Sequence, residues 1–282
     1  MTRRVALIGN PLRRRHSQVM HNAAFEAHGI DARFELEEIP EAAVPSFVEQ
    51  ARGSDWLGFG VTAPYKQLIM ELLDEVEPAA RAIGAVNNVV RTDDGRLVGF
   101  NTDGVGFAAS VRDDLGVDLA DAGVVVVGAG GAAHAVVHAC LTAGARQVAV
   151  ANRDPERAEQ LVARLAQPDV EASAHALDDP GFTAVLGRAD LLVNATTVGM
   201  VDAGAAVDPA RLPASAAVFD LVYVPVETEL IRRSRARGLR ACNGAGMLVA
   251  QGAAAFERWT GVTATAEVMR RAIEPLLRGD DT

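Results

Sequence analysis

The sequence predicts an α/β protein of two domains, and three observations carry that prediction. Apolar strand-like runs alternate with helix-like stretches along the chain, a rhythm that folds as a mainly parallel sheet covered by helices. Gly128-Ala-Gly-Gly-Ala-Ala133 follows a four-valine run and opens a small-residue helix, as a dinucleotide-binding turn does. At 282 residues the chain is long enough for two cores, one large domain being the alternative.

Composition narrows the class. Hydrophobic residues make up 49% and charged residues 23%, as in an ordinary globular protein. A net charge of −10 argues against nucleic acid or an anionic membrane as the main partner, since both demand a positive surface. The start is too short in apolar residues for a secretory signal, and no apolar run is long enough to span a membrane. Cys140 and Cys242 show no Cys-x-x-Cys spacing, which implies a reducing compartment without disulfides or a zinc site. The expectation is a cytoplasmic protein with no metal and a small-molecule substrate, as a monomer or homodimer.

In chain order, Val5–Ile8 is a buried strand that breaks at Gly9-Asn-Pro11 into a loop carrying Arg13-Arg-Arg-His-Ser17. A helix fits 19–28, with Met20, Ala23, Ala24 and Ala27 on one face and Gly29 as its stop. Residues 33–39 read as a strand, 41–51 as a helix, and 58–62 as a strand. Helices follow near 67–73 and 78–83, the second with proline in its first turn. Residues 88–91 and 96–100 flank Asp93-Asp-Gly95, a hairpin signal. A helix over 103–115 leaves this first region. Beyond it, 123–127, 147–151, 190–194 and 217–222 are buried strands. Helices lie at 155–165 (closed by Pro168), 227–237, 247–259 and 266–277. The arginines of 227–237 read as a solvated face.

Lys66 is the only lysine; the other 26 basic residues are arginines. Arginine keeps its proton in proteins, whereas a partly buried lysine can exchange one. Between a strand and a helical run, Lys66 is a candidate proton-transfer group, a leftover solvated side chain being the plain alternative.

The glycine turn predicts a Rossmann-type domain. Gly128 permits the sharp turn, Gly130 lets backbone approach a pyrophosphate, and Ala133 permits close helix–strand packing. The amides of Gly128, Ala129, Gly130, Gly131 and Ala132 then face the phosphates at a helix N-terminus. After the second strand stands Asn152-Arg153-Asp154. Arg153 suits the 2′-phosphate of NADP, while Asp154 would either repel that phosphate or hold the arginine in place. NADP is the expected cofactor, with NAD possible.

Several further motifs in one order give a resemblance. Val61-Thr-Ala-Pro-Tyr-Lys66, Gly84-Ala-Val-Asn87, Asn101-Thr-Asp-Gly104 and Asn194-Ala-Thr-Thr-Val-Gly-Met200 are among them, with Asp220-Leu-Val-Tyr223 and Gly246-Met-Leu-Val-Ala-Gln251. Together with the glycine turn they make the chain, from about Val5 to Trp259, resemble the shikimate dehydrogenase family. The resemblance implies NADP-dependent, reversible reduction of 3-dehydroshikimate to shikimate, a step of aromatic amino-acid (chorismate) biosynthesis. It implies a substrate-binding domain over 1–104 and a Rossmann domain over 105–244. The helices of about 245–282 return to the first domain, and the site lies in a cleft. By position, Lys66 and Asp103 form the catalytic pair, while Thr62, Asn87, Tyr223 and Gln251 bind substrate. Leu221 and Gly244 line the nicotinamide pocket, and Asn152 and Arg153 complete the cofactor site.

A Lys–carboxylate pair can exchange the proton that accompanies hydride transfer, although Asp103 could merely cap its helix and Asn87 could hold a turn. The substrate loop departs from the family pattern Ser-x-Ser-Pro: Arg15 replaces the first serine, Ser17 keeps the second, and Gln18 replaces the proline. Gly60 replaces an asparagine. Arg15 could grip a substrate carboxylate or turn outward. Quinate or an aminoshikimate is therefore an alternative substrate. A dinucleotide-responsive binding protein without chemistry is the alternative class; it would have no need of Lys66 and Asp103 together.

Overall fold

The computed structural model describes residues 2–165, 167, 170–201, 204–263 and 266–279. In chain order the elements are β1 (Arg3–Gly9), α1 (His16–Ala27), β2 (Ala32–Glu38), α2 (Val44–Gln50), β3 (Trp56–Val61), β4 (Glu75–Val76) and α3 (Pro78–Ile83). β5 (Asn88–Arg91), β6 (Leu97–Phe100), α4 (Asp103–Leu115), β7 (Gly123–Val127), α5 (Gly131–Thr142) and β8 (Gln147–Asn152) follow. Then come α6 (Pro155–Leu165), β9 (Glu171–Ala176), α7 (Pro180–Leu186), β10 (Leu191–Asn194), β11 (Ala217–Asp220) and α8 (Glu229–Ala236). β12 (Arg240–Asn243), α9 (Ala245–Thr260) and α10 (Ala266–Arg278) end the chain.

The chain divides into two compact units, Met1–Asp103 with Leu248–Thr282, and Gly104–Met247. The first unit holds a sheet in the order β2-β1-β3-β5-β6-β4. β2, β1 and β3 run parallel, β5 is antiparallel to β3 and β6, and β4 is parallel to β6. One core packs Phe47, Trp56, Phe59 and Val89 beneath α2. The other packs Met20 and Phe25 of α1 with Phe256 and Trp259 of α9 and Ile273 of α10. The second unit is an all-parallel sheet, β12-β11-β10-β7-β8-β9, the order of a doubly wound dinucleotide-binding fold. Its two faces are covered by the cores around Phe107 and Val136 and around Phe182 and Leu230.

Several expectations shift. Helix α1 begins at His16, three residues earlier than the pattern suggests; no side chain caps it, and Ser17 sits inside its first turn. Only Val44–Gln50 of the expected 41–51 helix is α-helical; Glu41–Ala43 is a 3-10 turn, as is Leu68–Leu72. β11 stops at Asp220, which puts Leu221 and Val222 in the following loop. α8 starts at Glu229, with Thr228 as its cap. The arginines of α8 pair with Glu227 and Glu229 on its surface. The unanticipated strands β4, β9 and β12 are all edge strands, short or partly exposed. Pro168, expected to close α6, lies outside the described residues.

The stretch Met20-His-Asn22 is structural. Asn22 exchanges two hydrogen bonds with the Phe34 backbone, at 2.8 and 3.0 Å, and so ties α1 to β2. His21 is buried and stacked on Phe34 at 4.6 Å, and its Nδ1 has no hydrogen-bond partner. Burial lowers its pKa from 6.5 to about 3. Below pH 6.5 the unfolded chain therefore takes up a proton that the folded chain refuses, so stability falls with pH until about 3. His21→Phe should remove this loss. Urea unfolding at pH 7 and pH 4.5 should show the variant losing less stability on acidification than the native protein, by on the order of 2 kcal/mol. Equal losses in both would rule the buried imidazole out as the cause.

Candidate active site

The turn after β3 presents Lys66. The Thr62 N–H donates to the Ile8 carbonyl at 2.9 Å, and the buried Tyr65 hydroxyl donates to the Ile39 carbonyl at 2.6 Å. The Lys66 carbonyl accepts from the Val86 N–H at 2.8 Å, so backbone on both sides pins the turn. Lys66 Nζ stands 2.6 Å from Asp103 Oδ2, with side-chain exposures of 23% and 12%. At that exposure the pair is mostly covered by protein yet still within reach of a ligand.

The carboxylate is held on both oxygens. Asp103 Oδ1 accepts from Asn87 Nδ2 at 2.8 Å while Oδ2 accepts from Lys66. Its N–H donates to Asn101 Oδ1 at 2.9 Å, so Asn101 serves the start of α4 and the Asp103 carboxylate does not cap it. Asn87 Oδ1 accepts from the Thr102 N–H and from Asn88 Nδ2, both at 2.9 Å, and Nδ2 donates to Thr102 Oγ1 at 3.1 Å as well as to Asp103. Both amide hydrogens of Asn87 thus have acceptors already, and in this arrangement it braces the carboxylate.

Thr102 is the hub that sequence reading missed. Its Oγ1 accepts from Asn87 and from Asn88 Nδ2 at 2.9 Å, so its proton goes to Gln251 Oε1 at 3.2 Å. Lys66, Asp103, Asn87, Thr102 and Gln251 form one hydrogen-bonded chain within the first unit. Thr102 and Asn88 each neighbour a singled-out residue, and that adjacency was the available signal. At the start of α1, in the same unit, Arg15 is the exposed N-cap residue and Ser17 is half-buried in the first turn. Thr62 is also half-buried.

The second unit carries the glycine turn. Gly128 has φ +112°, and a Cβ there would lie 2.9 Å from the Ala195 carbonyl oxygen, so only glycine fits. A Cβ at Gly130 would meet nothing within 4 Å, which leaves open space over the start of α5. No side chain caps that helix, and Ala133 is fully buried beneath it. An uncapped N-terminus beside an open glycine suits a pyrophosphate, so the residues present fit a dinucleotide. Asn152 closes its own turn by donating to the Asp154 carbonyl at 2.9 Å. Arg153 is exposed beside it, and among the described residues no ion pair joins it to Asp154. Leu221 and Gly244 meet: a Cβ at Gly244 would lie 2.3 Å from the Leu221 carbonyl oxygen. Tyr223 is half-buried on the loop after β11. Cys140 and Cys242 are free thiols whose pKa values burial pushes up to about 12, which makes them inert at neutral pH.

Among the described residues no helix is long and apolar enough to cross a membrane. Three family models match: the shikimate dehydrogenase substrate binding domain over residues 7–89, shikimate/quinate 5-dehydrogenase over 110–206, and the shikimate 5'-dehydrogenase C-terminal domain over 244–274. A shikimate dehydrogenase (NADP(+)) of Symbiobacterium thermophilum is 41% identical over 98% of this chain and 95% of that protein. The Thermus thermophilus shikimate 5-dehydrogenase, solved with NADP(H) and shikimate, superposes with a TM-score of 0.85 at 36% identity, covering 96% of this chain and 98% of that one. The quinate dehydrogenase of Corynebacterium glutamicum, solved with NAD, gives 0.88 at 34% identity over 96% and 98%. The chain belongs to the shikimate dehydrogenase family.

Proposed function

We propose that the protein interconverts 3-dehydroshikimate and shikimate with NADP, in the cytoplasm, as a monomer or homodimer. The observation that carries this reading is the half-buried Lys66–Asp103 pair at 2.6 Å, braced through Asn87. Bound NADPH supplies the hydride that reduces the ring carbonyl. Lys66 Nζ gives a proton to the oxygen that becomes the hydroxyl and takes it back in the oxidation. Asp103 Oδ2 keeps the ammonium aimed, and Asn87 on Oδ1 stops the carboxylate from turning away. The Thr102 bond to Gln251 Oε1 and the bond from Gln251 Nε2 to the Leu248 carbonyl at 2.9 Å fix its amide, leaving one N–H and one lone pair for hydroxyls on the substrate. Thr62 and Tyr223 supply further hydroxyls.

Arg15 and Ser17, at the uncapped start of α1, would hold the substrate carboxylate where the helix end itself favours an anion. Quinate is the second reading. Arg15, Gln18 and Gly60 depart from the common pattern, and a quinate dehydrogenase stands among the structural relatives.

Initial rates with shikimate, quinate and aminoshikimate, each with NADP+ and NAD+, test both readings. Shikimate with NADP+ should give the highest kcat/KM. Arg153→Ala should erase most of the NADP+ preference and leave NAD+ use nearly intact, because its guanidinium would face the 2′-phosphate. Equal use of both cofactors by the native enzyme would sink the arginine's role. A higher kcat/KM on quinate would move the assignment, and turnover of none of the three would favour a binding protein.

A further inference from the structure

The C-terminal edge of the second sheet carries a polar row to which the reaction above gives no task. Asn194, Asp220 and Asn243 stand in register across β10, β11 and β12, with the apolar Val127 of β7 on the other side of Asn194. Asn194 and Asp220 are both fully buried. Asp220 Oδ1 accepts from Asn194 Nδ2 at 2.8 Å and from the Val222 N–H at 3.1 Å, and Oδ2 accepts from Thr228 Oγ1 at 2.6 Å.

Neighbouring groups set the direction of each bond. Asn194 Oδ1 already accepts from the Thr196 N–H at 3.1 Å and the Thr196 hydroxyl at 2.7 Å, so its amide nitrogen must face Asp220. Thr228 Oγ1 accepts from the Ile231 N–H at 3.3 Å, so its proton points at Asp220. Three donors and no acceptor meet the carboxylate, which suits the anion and not the acid. Burial raises its pKa, and the three hydrogen bonds offset only part of that rise. Among the described residues no cationic side chain pairs with it. A buried anion without a counter-charge is unfavourable and calls for a cation.

The position says which cation. Asp220 immediately precedes Leu221, whose carbonyl packs against Gly244. Its strand lies next to β10, which flanks the point where the strand order reverses and where such folds bind their ligands. We propose that Asp220 is a positioning residue for the cofactor, its buried negative charge favouring the oxidised, cationic nicotinamide over the neutral reduced ring. This rests on the reading that NADP binds at the glycine turn with Leu221 and Gly244 beside the ring. Asn194 and Thr228 keep the charge in place.

The test compares three probes, NADP+, NADPH and 2′,5′-ADP (which lacks the nicotinamide), by equilibrium titration of native protein and Asp220→Asn. The variant should bind NADP+ about tenfold more weakly, the effect of one charge within roughly 10 Å at an effective dielectric near 20. NADPH and 2′,5′-ADP should bind within about twofold of native. A merely structural role would move NADP+ and NADPH together, and that result, or no change in either, overturns the proposal. Asp220→Ser, with less volume and a retained acceptor, carries the same comparison if Asp220→Asn fails to fold. Failure of the native protein to bind any of the three would instead overturn the dinucleotide reading on which the proposal stands.

Discussion

Lys66→Ala is expected to lower kcat by about 10²–10⁴-fold, the usual scale for a positioned proton-transfer group. The effect should be confined to chemistry. The glycine turn and Arg153 belong to the other unit, so the dissociation constant for NADP+ should hardly move. Lys66→Arg sharpens the test. An arginine keeps the positive charge beside Asp103 and so keeps the pair, but it has no proton to exchange at working pH. It should therefore fail nearly as badly as alanine while retaining native-like thermal stability. Steady-state rates with shikimate and NADP+, set beside melting curves, decide the matter. A Lys66→Ala protein with near-native kcat would remove the lysine from the reaction and leave the pair as a structural ion pair.

Arg15→Ala is expected to raise KM for carboxylate substrates by about 10- to 150-fold, the equivalent of a charge-assisted hydrogen bond of roughly 1.5–3 kcal/mol. Arg15 is the N-cap residue of α1, and Ser17 follows in the first turn. A carboxylate there would meet a guanidinium, a hydroxyl and the positive end of a helix that no side chain caps. Kinetics on shikimate and on its uncharged amide separate the possibilities. Arg15→Ala should impair the acid and spare the amide, and Arg15→Ser should recover activity on the acid. An unchanged KM for every carboxylate would make Arg15 a surface residue and leave the anion to Ser17 and the helix end.

The fold was legible where its signals are local. Gly128-x-Gly130 after four valines required a strand, a tight turn and a helix in succession, and the structure has them as β7, the turn and α5. The edge strands β4, β9 and β12 leave no mark in the sequence because an edge strand buries little and needs no apolar run. The early start of α1 leaves none for a related reason: its first turn lacks a capping side chain, the feature that marks a helix start in sequence.

The chemistry is written in outline in short local stretches: a lone lysine, a carboxylate at the start of a helix, and a phosphate-binding turn, each set by a few neighbouring residues. How those groups are used depends on contacts that form only on folding. Asp103 could have capped α4; Asn101 takes that place, and both carboxylate oxygens turn to Lys66 and Asn87. Thr102 reads as an ordinary threonine until Gln251, 149 residues away in the chain, accepts its proton. Asp220 reads as one residue within the 217–222 strand until Asn194 and Thr228 surround it with donors. Hydrogen-bond direction depends on which groups fold together from distant parts of the chain, and local sequence does not carry that information.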